Sequence, residues 1–153
     1  MKRLCVCVIV LGLAITTAPV GARSDDHSVT AAATGVFGAG AELGPVALAD
    51  VQIATGVFIE ADGTASGTFH AVLQGSTLGS AQEITVEGNV TGGSVDTGGR
   101  ATFNGSASLD FGNGAPPLTN VAFSVTAGSD GVVLLVDSVT LTATLSGGAI
   151  SIE

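Results

Sequence analysis

Asp96-Thr97-Gly98 is the stretch of this chain with the most suggestive chemistry, because Asp-Thr-Gly presents the reactive carboxylate in aspartic proteases. That reaction needs two carboxylates sharing one proton. One copy is present, without a supporting apolar-apolar-Gly segment downstream, and Asp96-Thr97-Gly98-Gly99 equally suits a hairpin turn. Serine chemistry lacks a Gly-x-Ser-x-Gly elbow, and the histidines are His27, in the N-terminal arm, and His70, inside a strand pattern. Two distant histidines without a cysteine partner do not make a zinc site. For calcium, Glu60 and Asp62 flank one turn, Asp110 and Asn113 border a proline loop, and Asp130 lies in another turn. Loops at one end of a sheet sandwich could bring them together, yet no Asp-x-Asp-x-Asp-Gly loop is present and hairpins favour acidic turn residues anyway. The residues therefore assign no catalytic, cofactor-binding or metal-ligating position.

The elements that must hold these residues read as strands. No sustained helical period appears, glycines recur throughout, and Val-, Thr-, Ile- and Phe-rich runs alternate with turn residues at intervals of about ten residues. Strands are expected near 29–37, 46–59, 64–73, 84–95, 100–111, 121–127, 132–145 with a break near Asp137, and 149–152. The expected fold is an all-β, antiparallel β-sandwich of about eight strands with hairpin connections. The parity of apolar residues changes at Asp137, which predicts a bulge or bend where a strand crosses between sheets.

Three hairpins predict registers. A turn centred on Asp62-Gly63 sets Phe58 against Gly67, Gly56 against Phe69, Ala54 against Ala71 and His70 against Thr55. One centred on Asp96 to Gly99 sets Val86 against Leu109, Gly88 against Ala107, Val90 against Gly105 and Gly92 against Phe103. The Gly128 to Gly131 turn sets Val125 against Leu134 and Phe123 against Val136. In this reading the repeated Ala-Thr-Gly-Val-Phe (33–37 and 54–58) and the related Ala-Ser-Gly-Thr-Phe (65–69) are strand devices. A phenylalanine ring covers the bare backbone of an opposing glycine.

The chain opens with Lys2 and Arg3, an apolar run from Leu4 to about Ile15, and small residues ending at Ala22. This is the pattern of a secretory signal peptide over 1–22; the run is shorter than the roughly 18 to 20 residues that span a bilayer. Cys5 and Cys7 fall inside it, so the expected mature chain has no cysteine. Residues 23–28 read as a flexible arm and 29–153 as a single domain, secreted or periplasmic, with no transmembrane segment after cleavage. Beyond the signal, Arg23 and Arg100 stand against 13 acidic residues, which argues against nucleic acid and anionic membranes as partners. With 46% apolar residues the chain is expected to fold rather than remain disordered. No Tyr or Trp is present, and the six phenylalanines are assigned mainly to the core, so a membrane barrel with aromatic girdles and a sugar binder built on a stacking platform are both set aside.

The runs Asp62-Gly-Thr-Ala-Ser-Gly-Thr-Phe-His-Ala-Val-Leu73, Val86 to Leu109, Ser129 to Val136 and Leu145 to Ile152 resemble small exported bacterial all-β domains sometimes called post-COAP domains. The resemblance implies an extracytoplasmic β-sandwich and carries no site residue. The expected function is an exported, non-enzymatic cell-surface, matrix or ligand-interaction module, its partner an extracytoplasmic protein or glycan. The alternatives are a calcium-dependent binding module and a hydrolase using loop carboxylates; the latter requires carboxylates such as Asp62, Asp96 and Asp130 to converge.

Overall fold

A computed structural model describes residues 25–153. The signal-peptide assignment, with Cys5 and Cys7, lies outside the described residues. The elements are β1 (His27–Phe37), β2 (Glu42–Leu43), β3 (Val46–Ile59), β4 (Thr64–Thr77), β5 (Ser80–Val95), β6 (Ala101–Asp110), β7 (Leu118–Ala127), β8 (Gly131–Val136) and β9 (Val139–Ile152). All pair antiparallel in one sheet, ordered β1-β9-β8-β7-β6-β5-β4-β3-β2. The expected all-β antiparallel fold with hairpin connections is present. Its sandwich-like layers are opposite walls of one continuous sheet, because β1 pairs with β9 along one side and with β3 along the other. Eight long strands thus close into a barrel, and the two-residue β2 folds back beside the start of β3. Closure removes the open edges on which other chains could add a strand.

Period-two alternation fills the interior. In β5, Ile84, Val86 and Val90 are buried while Glu83, Glu87 and Asn89 are exposed, and the same inside-outside rhythm runs through the other long strands. An eight-stranded barrel is just wide enough for side chains to fill, and here they do. Phe69, Phe103 and Phe123 form its centre, with ring centroids 6.0 Å apart for Phe69 and Phe103 and 5.5 Å for Phe69 and Phe123. Among the described residues no polar or charged side chain is buried. The inner face is apolar and the outer face is rich in hydroxyls, the reverse of a porin wall.

Three rings stand opposite glycines, with different partners from those the turns suggested. Phe69 lies opposite Gly88, Phe103 opposite Gly93 and Phe123 opposite Gly105. The register partner is not the ring over the bare backbone: a β-carbon on Gly93 would meet Ile59 first, and one on Gly105 the backbone of Asn89. A β-carbon on Gly88 would stand only 2.6 Å from Phe123 Cε1, so the bare backbone there is the seat of that ring.

The first predicted hairpin is corrected by one residue. Phe58 faces Ser66, Gly67 faces Val57, Phe69 faces Thr55, Ala71 faces Ile53, and His70 faces Ala54. The cause is the turn. Glu60 N–H donates to Thr64 O and Gly63 N–H to Glu60 O, with Gly63 at φ 88°, which makes a three-residue loop ending in a left-handed glycine. A two-residue loop would have given the predicted pairs. The slip turns Phe58 outward, 45% exposed, while Phe69 is 1% exposed.

Asp96 to Arg100 builds the same three-residue loop, with Asp96 N–H donating to Arg100 O and Gly99 at φ 74°. Here a register shift between Val90 and Gly92 restores the expected pairs Val86–Leu109, Gly88–Ala107 and Val90–Gly105. The fourth pair is corrected: Gly92 meets Asn104, and Gly93 meets Phe103. The Gly128 to Gly131 hairpin has the expected register, Val125 with Leu134 and Phe123 with Val136.

At Asp137 the chain makes a tight two-residue turn, since Val136 pairs with Val139, and not a bulge or a crossing between sheets. Such a turn pairs even with odd positions, which accounts for the change in apolar parity. Residues 149–152 continue β9 rather than form a separate strand. His27 and Ser28, expected in the arm, already belong to β1, with Ser28 exchanging backbone hydrogen bonds with Glu153. Thr77 pairs with Ser80 around Leu78-Gly79, a hairpin turn absent from the predicted strand plan.

Candidate functional site: a polar groove on the outer wall

The acidic candidates do not form one site. Turns alternate between the two ends of an antiparallel barrel, so Asp62 (β3–β4), Asp96 (β5–β6) and Asp130 (β7–β8) sit on three separate turns of one end. Asp110 and Asn113 lie at the opposite end, in the β6–β7 connection. Asp62, Asp96, Asp110 and Asn113 are engaged within their own turns, and Asp130 by Arg100 of the neighbouring β5–β6 turn. Asp62 accepts from the backbone N–H of Thr64 at 2.8 Å and from its hydroxyl, and these bonds hold the Asp62 carboxyl below its ordinary value of 3.8. Asp96 accepts from the N–H groups of Gly98 and Arg100, at 2.8 and 2.9 Å. Asp130 pairs with Arg100 at 2.9 Å, while Asp110 and Asn113 accept from the N–H groups of Gly112 and Ala115. They serve as turn residues. Among the described residues no three His, Cys, Asp or Glu side chains are grouped to hold a metal ion. The convergence on which the calcium and hydrolase alternatives depend is absent for these residues.

His27 begins β1, its Nδ1 3.3 Å from Glu153 O. His70 is different. It points outward from β4 beside Glu87 on β5, Nε2 to Oε1 4.0 Å, at the margin of a groove of about 540 Å³ on the outer wall. The size falls within the usual range for small-molecule sites.

Register builds this groove as two rows of three. His70, Glu87 and Ser108 lie side by side across β4, β5 and β6, and Thr68, Asn89 and Ser106 form the next row. Neighbouring strands are about 4.8 Å apart, and residues two along a strand about 6.6 Å apart, so the rows make a regular grid. The far margin comes from an irregularity. Ala107 pairs with Val121 but Leu109 with Leu118, so Thr119 and Asn120 of β7 stand against the single residue Ser108, with Asn120 at φ 57°. Bulges of this kind redirect side chains, and an asparagine tolerates the left-handed backbone at small cost. The short side chains of Ser106 and Ser108 leave room between the two margins.

Every outward side chain lining the groove can donate or accept a hydrogen bond; Phe69, Gly88 and Ala107 belong to the inward-facing positions of the same strands. None of these outward side chains is engaged in a hydrogen bond within the described residues, and His70 and Glu87 approach each other only to 4.0 Å. A smaller recess of about 290 Å³ shares Glu87 and Ser108 and adds Thr85, Asp110 and Pro117. Leu118, next in the chain, is 53% exposed.

The turn-based register pointed His70 at Thr55 and gave no reason to join it to residues of β5, β6 and β7. The available signal was the alternation in Thr68-x-His70, Glu87-x-Asn89 and Ser106-x-Ser108, which marks three polar outer faces in strands consecutive along the sheet. No helix among the described residues is long and apolar enough to cross a membrane. Comparison with protein-family models, curated proteins and solved structures finds no match to this chain.

Proposed function

We propose that this chain is an exported, non-enzymatic β-barrel module that holds a ligand or partner against its outer wall at the cell surface or in the surrounding matrix. The observation that carries this reading is the contrast between the two sides of the sheet. The buried side chains of the interior are apolar, while the outer wall over β4 to β7 presents a groove lined by polar side chains, most of them without a hydrogen-bond partner. The closed sheet favours recognition by side chains over strand addition. Export is supported by the basic start, short apolar run and small-residue boundary at Ala22. The Gly-rich strand patterns shared in kind with exported post-COAP-like domains point the same way.

The test is retention of the purified protein on the envelope fraction of its host. Specific, saturable retention that falls when Asn89 and Ser106 are both replaced by alanine is expected. Absence of retention, or retention indifferent to the outer wall, would contradict the assignment.

A further inference from the structure

We propose that the groove over β4 to β7 takes a segment of neutral polysaccharide, held by hydrogen bonds rather than by aromatic stacking. This inference rests on the interaction-module reading and specifies its ligand. It starts from the regular array of groups. Thr68, Asn89 and Ser106 form one row, and Glu87 and Ser108 continue the next, so a ligand lying across the strands meets a hydrogen-bonding group about every 4.8 Å. From β4 to β7 the array extends about 14 Å. Sugar hydroxyls both donate and accept, and adjacent hydroxyls suit the paired atoms of an amide or carboxylate, here Asn89, Asn120 and Glu87.

Charge selects among polar ligands. The groove holds the carboxylate of Glu87, with Asp110 in the adjoining recess, and the chain carries a net charge of −9. Among the described residues Arg100 is the one Lys or Arg, and it lies in a turn at the opposite end, paired with Asp130. Sulfated, phosphorylated or uronic-acid chains therefore meet repulsion without a Lys or Arg to offset it. A metal-bridged ligand lacks its third protein carboxylate or imidazole. A protein partner would be expected to anchor aromatic or aliphatic side chains in apolar pockets, whereas the outward lining here is polar.

The absence of Tyr and Trp removes stacking but not apolar contact. Pro117 lines the recess beside Glu87 and Ser108, and Leu118 is exposed next to Thr119, so aliphatic surface borders the polar array. Carbon-hydrogen faces of a sugar ring can pack there. Because each hydrogen bond replaces one to water, affinity should be modest, with Kd about 1 mM for a short oligosaccharide, rising where a long chain offers repeated segments.

Affinity electrophoresis of the purified protein in gels containing single polysaccharides tests the proposal. The neutral set is glucans, mannans, galactans and xylans, and the anionic set is alginate, polygalacturonate and heparin. At least one neutral polymer should slow migration, with no effect from a chelator. The Asn89→Ala/Ser106→Ala double variant should weaken that binding at least tenfold, and so should the near-isosteric Asn89→Asp, which retains the outward side chain's shape. Leu78→Ser, on a turn outside the groove, should bind as the parent does. Unchanged thermal melting of each variant separates loss of binding from loss of fold. No neutral polymer binding, equal binding to anionic polymers, or full affinity in the groove variants would overturn the proposal. Envelope retention that depends on Asn89 and Ser106 but is not competed by any neutral glycan would leave the module reading standing and remove the glycan. Absence of envelope retention together with no binding to any neutral polymer removes both.

Discussion

Gly35 and Gly56 hold the same place in two copies of Ala-Thr-Gly-Val-Phe, and the barrel uses them on opposite sides. In the first copy Gly35 and Phe37 face inward, where a β-carbon at 35 would stand 3.0 Å from Thr144 O and 3.3 Å from Val51 Cγ1. In the second copy Gly56 and Phe58 face outward, and a β-carbon at 56 meets nothing within 4 Å. Gly35→Ala should therefore cost about 1 kcal/mol. Gly56→Ala should be neutral or stabilise by up to about 1 kcal/mol through the unfolded chain. Denaturant melts of the two variants check this pair. The phenylalanines give a larger contrast: Phe69→Ala should lose about 3 to 5 kcal/mol, while Phe58→Ala, half exposed, should lose under about 1 kcal/mol. Asp62 adds a pH test. Its carboxyl is held below 3.8 mainly by Thr64, so its stabilising bonds are fully present above the unfolded value and are lost as pH falls through the lower, folded value. A carboxyl NMR titration should find that midpoint below 3.8, and Thr64→Ala should raise it.

Hairpin turns decided which pairings could be read from the sequence. Asp-Gly marks a turn at 62–63, but both a two-residue loop and a three-residue loop with a left-handed glycine accept it, and the choice shifts every partner by one. The Asp96 turn carried the same ambiguity, yet the irregularity near Thr91 cancels the offset, so the pairs from Val86 to Val90 were legible in the sequence while Gly92 was not. Strand existence and inward apolar faces were legible because alternation is a property of each strand alone. Barrel closure was not, since pairing of β1 with both β3 and β9 depends on contacts remote in sequence. The groove was hidden for the same reason: its rows exist only once four strands are in register. Leu78-Gly79 escaped notice because leucine is a poor residue for a turn in which both central residues have positive φ, here 51° and 82°. Leu78 is also fully exposed. Leu78→Asn should stabilise the fold by about 1 kcal/mol, read as a higher Tm.

Acidic side chains lie at both ends of the barrel, and the exposed apolar groups divide between them as well, with Phe58 beside the β3–β4 turn. The end formed by the β3–β4, β5–β6 and β7–β8 turns carries Glu60, Asp62, Asp96 and Asp130, and there Asp26 also accepts from Ala61 N–H at 2.9 Å. The other end carries the exposed Leu78 and Leu118, while Val36 and Leu135 lie on strands near it. Because Asp62 and Asp96 are satisfied within their own turns and Asp130 by Arg100 of the β5–β6 turn, millimolar calcium or a chelator should leave Tm unchanged; a calcium-dependent rise would reveal an ion site through linkage. Between the two ends lies the outer wall of β4 to β7, on which the functional assignment depends. Amide chemical-shift mapping during titration with the best-bound neutral oligosaccharide tests that assignment most directly. Perturbations concentrated at 68–70, 87–89, 106–108 and 119–120 are expected. Perturbations centred on the Leu78 turn or the acidic turns, or none at saturating oligosaccharide, would contradict it.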